Sequence, residues 1–201
     1  MQTNTNRIFL RGRMAARPAL SHANHGVDYF TFPLAVRRLS GAEDRLNIVA
    51  SREQLERLSL CGDGPVSVYG EVRTFNNRSG VGSRLVVSVF ARTLAQDEGE
   101  DENRLELSGT LCKPPILRAT PLGRTICDMI LAVNRRYGRA DYLPCIAWGS
   151  LAYRCGAMEV GDRLSLEGRL QSRTYTKEID GQLQERTAFE VSVMSLAADD
   201  T

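Results

Sequence analysis

The chain contains two histidines, His22 and His25, which are the first residues to consider for catalysis or metal binding. We place both in one loop between the first two predicted strands. A metal site needs further Cys, Asp or Glu ligands nearby, and only Asp28 offers one. Nucleophilic catalysis needs a base held beside its nucleophile, and two histidines in one loop have no plausible partners for that arrangement. We therefore expect a solvated loop, no enzymatic activity, no metal and no cofactor.

The five cysteines could bind a metal or form disulfides, but their spacing favours neither. No two of them form a C-x-x-C pair, and an odd number argues against a disulfide framework. Four lie among apolar neighbours in the second half of the chain, which is typical of buried free thiols. Gly80-Val81-Gly82-Ser83 lacks the lysine of a phosphate-binding loop and is interpreted as a hairpin turn. The cysteines are Cys61, Cys112, Cys127, Cys145 and Cys155.

The cations are almost all arginine, since only Lys113 and Lys177 of the 26 basic residues are lysines. Residues 1–95 hold 13 basic and 7 acidic residues, a net charge of +6, whereas residues 103–201 hold 13 and 12, a net charge of +1. Arginine suits phosphate forks and stacking on bases. A codon composition rich in G and C would give the same enrichment, so both explanations stay open.

The elements that would position these residues occur twice, at an offset of about 97 residues. Three blocks of the first half return in the same order in the second half, which indicates a tandem duplication of one domain. Positions that both copies keep report the fold, and positions kept in only one copy are candidates for function. The paired blocks are NRIFLRG (6–12) with NRLELSG (103–109), LAV (34–36) with LAV (131–133), and VYGEV (68–72) with LEGRL (166–170).

Each copy shows short alternating strands separated by turn signals, without long helical periodicity. In the second copy a short helix at 150–155 lies between the third and fourth strands, and Asp180-Gly181 marks a hairpin. In the first copy the helix is predicted at 54–60 and the last hairpin loop at 76–82. The second-copy strands are predicted at 104–111, 126–134, 143–148, 163–176 and 183–196. Closed into five-stranded Greek-key barrels, two such copies form tandem OB-folds, an all-β fold class with one short helix per barrel.

The predicted organisation is a first OB-fold at 1–95, an acidic linker at 96–102 and a second OB-fold at 103–201. The linker holds five acidic residues, no basic residue and nothing apolar to bury. No apolar run approaches the length of a membrane span, and the first six residues lack the regions of a signal peptide. We therefore expect no membrane association and a cytoplasmic protein.

The second copy resembles the bacterial single-stranded DNA-binding protein family. Five stretches carry the resemblance, in the family's order and across almost all of 103–197. They are NRLELSG (103–109), LAVN (131–134), WGSLA (148–152), VGD (160–162) and LEGRLQSRTY (166–175). The first copy is linked to the family through its similarity to the second. Family members usually end in a disordered tail whose acidic tip recruits other enzymes. The sequence stops at Ala197-Ala198-Asp199-Asp200-Thr201, so that recruiting role is not expected of these residues.

In that family, bases stack on aromatic residues of the barrel face and its loops. The resemblance places this role on four aromatic residues, each able to contribute roughly 1–3 kcal/mol per base without reading sequence. An alternative for Tyr137 and Tyr142 is that they cap a barrel edge, and for Trp148 that it packs in the core. The aromatic candidates are Tyr137, Tyr142, Trp148 and Tyr175, and the basic residues interleaved with them are Arg135, Arg136, Arg139, Arg169, Arg173 and Lys177.

The first copy departs from this pattern. At the offset of 97, Tyr142 corresponds to Arg45 and Trp148 to Ser51, and at the offset of 98 that relates 68–72 to 166–170, Tyr175 falls opposite Asn77. We expect a diverged binding face, on which Phe75 could replace one platform and Arg73 could contact phosphate. This copy is expected to bind the strand backbone electrostatically or to serve mainly in assembly.

The sequence thus predicts nonspecific single-stranded DNA binding in replication, recombination or repair, by a nucleoid-associated protein. Because family members commonly present four OB-folds, two per chain imply a homodimer, which could also contact replication or repair proteins. Two alternatives stay open: an assembly or accessory module of a replication or mobile-element complex, and a single-stranded RNA binder.

Overall fold

The computed structural model of the chain describes residues 5–59, 64–77, 83–179 and 181–197, most of which lie in β-strands. The strands are β1 (Asn6–Met14), β2 (Ala19–Asn24), β3 (Val27–Arg37), β4 (Glu43–Ser51), β5 (Val66–Asn76), β6 (Leu85–Gln96), β7 (Glu102–Leu111), β8 (Ile116–Ala119), β9 (Thr125–Asn134), β10 (Ala140–Trp148), β11 (Arg163–Ile179) and β12 (Gln182–Leu196). The helices are α1 (Arg52–Ser59) and α2 (Ser150–Gly156), and a 3₁₀ turn spans Arg136–Gly138.

The strands of each copy pair into a closed barrel. In the second copy β7 pairs with β11 and β9, β11 with β12, and β9 with β10, all antiparallel. The parallel pairing of β10 with β12 completes the circle. In the first copy β1 pairs with β3 and β5, β3 with β4, and β6 lies between β4 and β5. The helix of each copy follows the third barrel strand. The predicted fold class, two five-stranded OB-fold barrels with one short helix each, is confirmed.

Alternation along the barrel strands fills the two cores. On β3, Phe32, Leu34 and Val36 are buried while the residues between them are partly exposed. On β9, Leu131 and Val133 are buried in the same way. Branched and aromatic side chains on one face of a pleated strand are the pattern that a closed barrel requires.

Glycines kept in both copies lie where strands approach too closely for a side chain. A Cβ added to Gly12 would lie 2.1 Å from the Ala35 carbonyl oxygen, and one on Gly109 would lie 3.0 Å from that of Ala132. The second duplicated pair, Gly70 and Gly168, would each place a Cβ 2.3 Å from a backbone oxygen of the facing strand. These repeated positions therefore report the barrel geometry rather than a binding function.

Two short strands were missing from the predicted set. Strand β2 pairs with β3, and β8 pairs with β9, but every side chain of both is exposed. Because neither strand has a buried face, neither shows the hydrophobic alternation that sequence analysis detects. The prediction of a loop at His22 was wrong for this reason: His22 lies in β2 and pairs with Tyr29, while His25 lies in the β2–β3 turn.

The chain packs as two compact units. One comprises Arg7–Arg73 and Val86–Arg104, and we call it the N-terminal unit. The other, the C-terminal unit, comprises Met1–Asn6, Thr74–Leu85 and Leu105–Thr201, so it includes the end of β5 and the first residue of β6. The division predicted at 96–102 stays a prediction. Among the described residues, no helix is long and apolar enough to cross a membrane.

The acidic segment after β6 is bonded to other residues of the N-terminal unit. Arg11 Nε lies 2.9 Å from Asp97 Oδ2, and Arg11 Nη1 lies 3.2 Å from Glu102 Oε2. The backbone N–H of Arg37 donates to Asp101 Oδ2 at 2.6 Å. The backbone N–H of Gly99 and the Arg11 guanidinium lower the pKa of Asp97. These contacts attach both ends of the acidic segment to the first barrel.

Candidate nucleic-acid interface

Strand β10 has one side in the core and the other on the barrel surface. Leu143, Cys145 and Ala147 are buried, whereas Tyr142 and Trp148 are 52% and 39% exposed. The sequence left this assignment open, because both sides of the strand contain apolar residues. The indole of Trp148 therefore lies on the outer surface of the barrel and not in the core.

The pairing register extends this surface onto neighbouring strands, because residues paired across a sheet project to the same side. Tyr142 pairs with Ala132 of β9, and Ile146 pairs with Ser192 of β12. Ser192 in turn pairs with Arg169 of β11, and Arg169 is partly exposed. We call this surface the second-copy face. Ile146 and Ser192 lie on this side of the sheet but are buried, and the residues that form the face at the surface are Ala132, Tyr142, Trp148, Arg169, Arg173 and Tyr175.

Tyr175 lies on the long β11–β12 hairpin, where it pairs with Arg186. The guanidinium carbon of Arg173 is 5.6 Å from the centre of the Tyr175 ring, and its Nε is 3.9 Å from a carboxylate oxygen of Glu190. An arginine beside an aromatic ring combines a surface on which a base can stack with a guanidinium that can donate hydrogen bonds to a phosphate. Tyr175 and Arg173 thus form a mixed aromatic and cationic pair on the hairpin.

Tyr137 projects from the tip of the β9–β10 hairpin and is 96% exposed. Its backbone is left-handed, with φ 63° and ψ 35°, and the next residue, Gly138, has φ 67°. The hairpin is closed by the Arg135 N–H donating to the Arg139 carbonyl at 2.7 Å. A left-handed backbone at a residue other than glycine costs of order 1–3 kcal/mol and concentrates at functional sites. The turn therefore presents the Tyr137 ring to solvent from a strained backbone.

Behind Tyr142 lies a buried polar cluster formed by Arg135, Asp141 and Thr74. The Arg135 guanidinium donates to both oxygens of Asp141, with Nε 2.5 Å from Oδ2. Asp141 is fully buried and also accepts the backbone N–H of Thr74 at 2.5 Å. The Thr74 hydroxyl accepts the backbone N–H of Tyr142 at 2.9 Å. These bonds fix the backbone from which the Tyr142 ring projects.

The cluster gives Arg135 a structural partner that the sequence did not indicate. Its Nη2 also donates to the Thr74 carbonyl at 2.9 Å, so the guanidinium is bonded to buried groups on two segments. Thr74 was not among the predicted site residues. It is separated from Asp141 by 67 positions, and no sequence signal connects the two.

The other predicted residues differ in what the structure describes. Phe75 is 55% exposed next to Thr74. Arg73 belongs to the N-terminal unit and forms an ion pair with Glu71. For Arg136 and Lys177 the backbone is described, but their side chains lie outside the described part of the chain.

The cysteines of the second copy are free thiols, and burial raises the pKa values of three of them. Cys127, Cys145 and Cys155 are buried, and burial raises the pKa of Cys155 to about 11. Cys112 is partly exposed, and Cys61 lies outside the described residues. Across the described residues, no group of three or more Cys, His, Asp or Glu side chains could hold a metal ion.

Two closed Greek-key barrels, the second with Tyr142 and Trp148 exposed on its outer face, define a tandem OB-fold protein. Residues 102–197 match the model of the single-strand binding protein family. A crystal structure of wild-type single-stranded DNA binding protein from Thermus aquaticus is similar over 100% of this chain and 95% of that one, with a TM-score of 0.76 and 25% identity. The second copy thus carries a domain of the single-strand binding protein family, and the resemblance that the sequence predicted is confirmed.

Sequence relatives match over different lengths. The single-stranded DNA-binding protein 2 of Listeria innocua is 35% identical over 86 residues, 39% of this chain and 54% of that protein. The single-stranded DNA-binding protein A of Bacillus subtilis is 35% identical over 83 residues, which are 38% of this chain and 48% of that protein. The chain thus spans about half the length of these relatives. The single-stranded DNA-binding protein of Thermus thermophilus is 27% identical over 88% of this chain and 78% of that one.

Proposed function

We propose that the chain binds single-stranded DNA without sequence preference, through base stacking on the second-copy face. The observation that carries this proposal is the exposure of Trp148 and Tyr142 on the outer side of β10, whose other side is core. Exposing large aromatic side chains costs hydrophobic free energy unless a ligand covers them. Every base offers a π-face, so such rings bind single strands without reading their sequence.

The arginines of the second-copy face supply the phosphate contacts in this proposal. Arg169 and Arg173 lie on the same side of β11 as Tyr175. Arg135 instead acts as a positioning residue, because its guanidinium is held by Asp141 and Thr74. Tyr137 contacts a base from the hairpin tip, where its ring is exposed to solvent. Binding proceeds without catalysis or cofactor and serves replication, recombination or repair in the cytoplasm.

A titration with labelled oligonucleotides of matched length tests this function. Fluorescence anisotropy is measured with oligo-dT, oligo-U and a duplex under the same salt conditions. We expect tight binding of oligo-dT and far weaker binding of the duplex, whose bases are stacked and paired. Binding of oligo-U equal to or tighter than that of oligo-dT would make RNA the ligand. Absence of binding to all three would contradict the proposal and favour an assembly module.

We further propose that two chains associate, since the family resemblance implies four OB-folds in the assembly and each chain supplies two. Multi-angle light scattering at micromolar concentration should give twice the chain mass of 22.3 kDa. A monomer mass throughout that range would contradict the homodimer without affecting the binding proposal.

A further inference from the structure

The N-terminal unit carries an aromatic row that the sequence comparison between copies did not reveal. His22 of β2 stacks on Tyr29 of β3, with ring centres 5.1 Å apart and planes inclined by 15°. Tyr29 also meets Phe90 of β6, with ring centres 5.5 Å apart. At the Phe90 end of the row, the guanidinium carbon of Arg92 lies 5.4 Å from the centre of the Phe90 ring.

The register places this row on the outside of the first barrel. Tyr29 alternates along β3 with the buried side chains of Phe32 and Leu34, so it projects away from the core. Tyr29 pairs with Ser51 of β4, and Phe90 pairs with Val49 of the same strand. The small side chain of Ser51 leaves room for the two rings to meet above β4.

This row occupies the position that corresponds to the aromatic site of the second copy. At the offset of 97 residues, the cross-strand pair Tyr29–Ser51 corresponds to the pair Ile126–Trp148. Each pair thus contains one aromatic residue on the outer face. In the first copy it is Tyr29 of β3, and in the second copy it is Trp148 of β10, the strand that corresponds to β4.

One charged side chain, Arg92, lies at the Phe90 end of the row. It forms an ion pair with Glu71 at 3.0 Å and keeps half of its side chain exposed. Arg52 of α1 belongs to the other side of β3, where it lies 5.2 Å from the centre of the Phe30 ring and pairs with Asp28. Arg92 can exchange its solvent-exposed pairing with Glu71 for a phosphate at little cost, because exposed ion pairs contribute little.

We propose that the row His22–Tyr29–Phe90 is a second base-stacking site, which takes nucleobases of a single-stranded nucleic acid while Arg92 contacts its phosphates. The inference rests on the proposed function and assigns part of it to the first copy. It adds nucleotides to the length of strand that each chain covers, and it makes the first copy a binding domain with its own stacking residues.

The test uses the double variant Tyr29→Leu/Phe90→Leu in the full chain. Leucine keeps apolar volume in the row but removes the π-face, so the fold is preserved better than with alanine. Affinity for oligo-dT long enough to occupy both sites should fall on the order of 5- to 100-fold. Trp148 fluorescence should still be quenched by oligo-dT, since that residue reports only the second-copy face. Tyr29→Phe, which keeps the ring, should bind like the unmodified chain.

The matched control is Tyr69→Leu, which removes another exposed tyrosine from the N-terminal unit but lies outside the row. It should leave affinity and covered length unchanged. Wild-type affinity and covered length in a folded Tyr29→Leu/Phe90→Leu variant would overturn the second site. If the unmodified chain fails to bind oligo-dT, the proposed function itself has failed, and the two failures are thus distinguishable. If the double variant unfolds at a lower temperature than the unmodified chain, the single variants Tyr29→Leu and Phe90→Leu are tested instead, below their own melting temperatures. Unchanged affinity and covered length would again overturn the second site.

Discussion

The outer faces of the two copies each carry aromatic rings, but the rings come from different strands. In the second copy Trp148 and Tyr142 project from β10. In the first copy the corresponding strand, β4, carries Ser51 and Arg45, and the rings of Tyr29 and Phe90 come from its neighbours β3 and β6. A position-by-position comparison of the two sequences therefore indicates that the first copy has lost its aromatic residues, although its outer surface carries aromatic rings from other strands.

Helix capping gives a physical reason for the exchange. In the first copy Ser51 ends β4 and caps α1: its N–H donates to Gln54 Oε1 at 2.8 Å, and its Oγ accepts the Gln54 N–H at 3.3 Å. This reciprocal capping box requires a short hydroxyl side chain. In the second copy the cap position moves to Gly149, with φ 58°, which leaves Trp148 free to be aromatic.

The copies also share a buried arginine–aspartate pair, at positions that are 97 residues apart. Arg38 and Asp44 form a bidentate pair in the first copy, and Arg135 and Asp141 form one in the second. Both aspartates are fully buried. The pair therefore belongs to the fold, whereas the aromatic residues around it differ between the copies.

The largest effect on this comparison should come from breaking the shared pair. Asp141→Asn leaves the Arg135 guanidinium without its anionic partner, and breaking a buried pair costs about 3–5 kcal/mol. Because Arg135 remains a quarter exposed, we expect the lower end, about 3 kcal/mol, in chemical denaturation. Asp44→Asn is the matched variant. If one copy lost stability and the other did not, the pair would not be a shared element of the fold.

Removing single rings from the second-copy face should be the next largest effect. Tyr137→Ala, Tyr142→Ala and Tyr175→Ala should each weaken oligo-dT binding by ~1–3 kcal/mol with little change in melting temperature, because the rings contact solvent rather than the core. Tyr153→Ala, which removes an exposed tyrosine from α2, is the control and should bind normally. Equal losses in the control would assign the effect to general surface changes.

Thr74→Val tests whether the cluster positions Tyr142. Valine keeps the shape of threonine but removes the hydroxyl that accepts the Tyr142 N–H. Leaving buried polar groups unpaired costs about 1–3 kcal/mol of stability. We expect this loss in denaturation and a weaker affinity for oligo-dT, with Thr74→Ser restoring both. A stability loss with unchanged affinity would limit Thr74 to a structural role.

A feature of the fold or of the site could be predicted only where it leaves a recognisable pattern in the sequence. The duplicated blocks and strand alternation predicted both barrels, because core residues and close-packed glycines repeat at a fixed offset. The core side of β10 could not be chosen, since Leu143 and Ile146 make both sides apolar. The row at Tyr29 was missed because its stacking partners His22 and Phe90 come together only through pairing across β2, β3, β4 and β6.

The smallest expected effects concern single phosphate contacts. For single strands, log affinity falls with log salt by about 0.7 per neutralised phosphate. Arg169→Gln and Arg173→Gln should each lower that slope by up to about 0.7, and in the first copy Arg45→Glu should act through the same salt-dependent binding. The slope is measured by oligo-dT titration at a series of salt concentrations. An affinity independent of salt would mean that the arginine enrichment is compositional only.

The most direct test of the second-copy face uses Trp148, the only tryptophan of the chain. The indole lies on the outer side of β10 and is 39% exposed, so a base stacked on it should quench its fluorescence. Adding oligo-dT to the unmodified protein is expected to remove much of the emission, and the same concentration of duplex should have far less effect. Emission that stays unchanged at saturating oligo-dT would contradict the assignment of this face to base stacking.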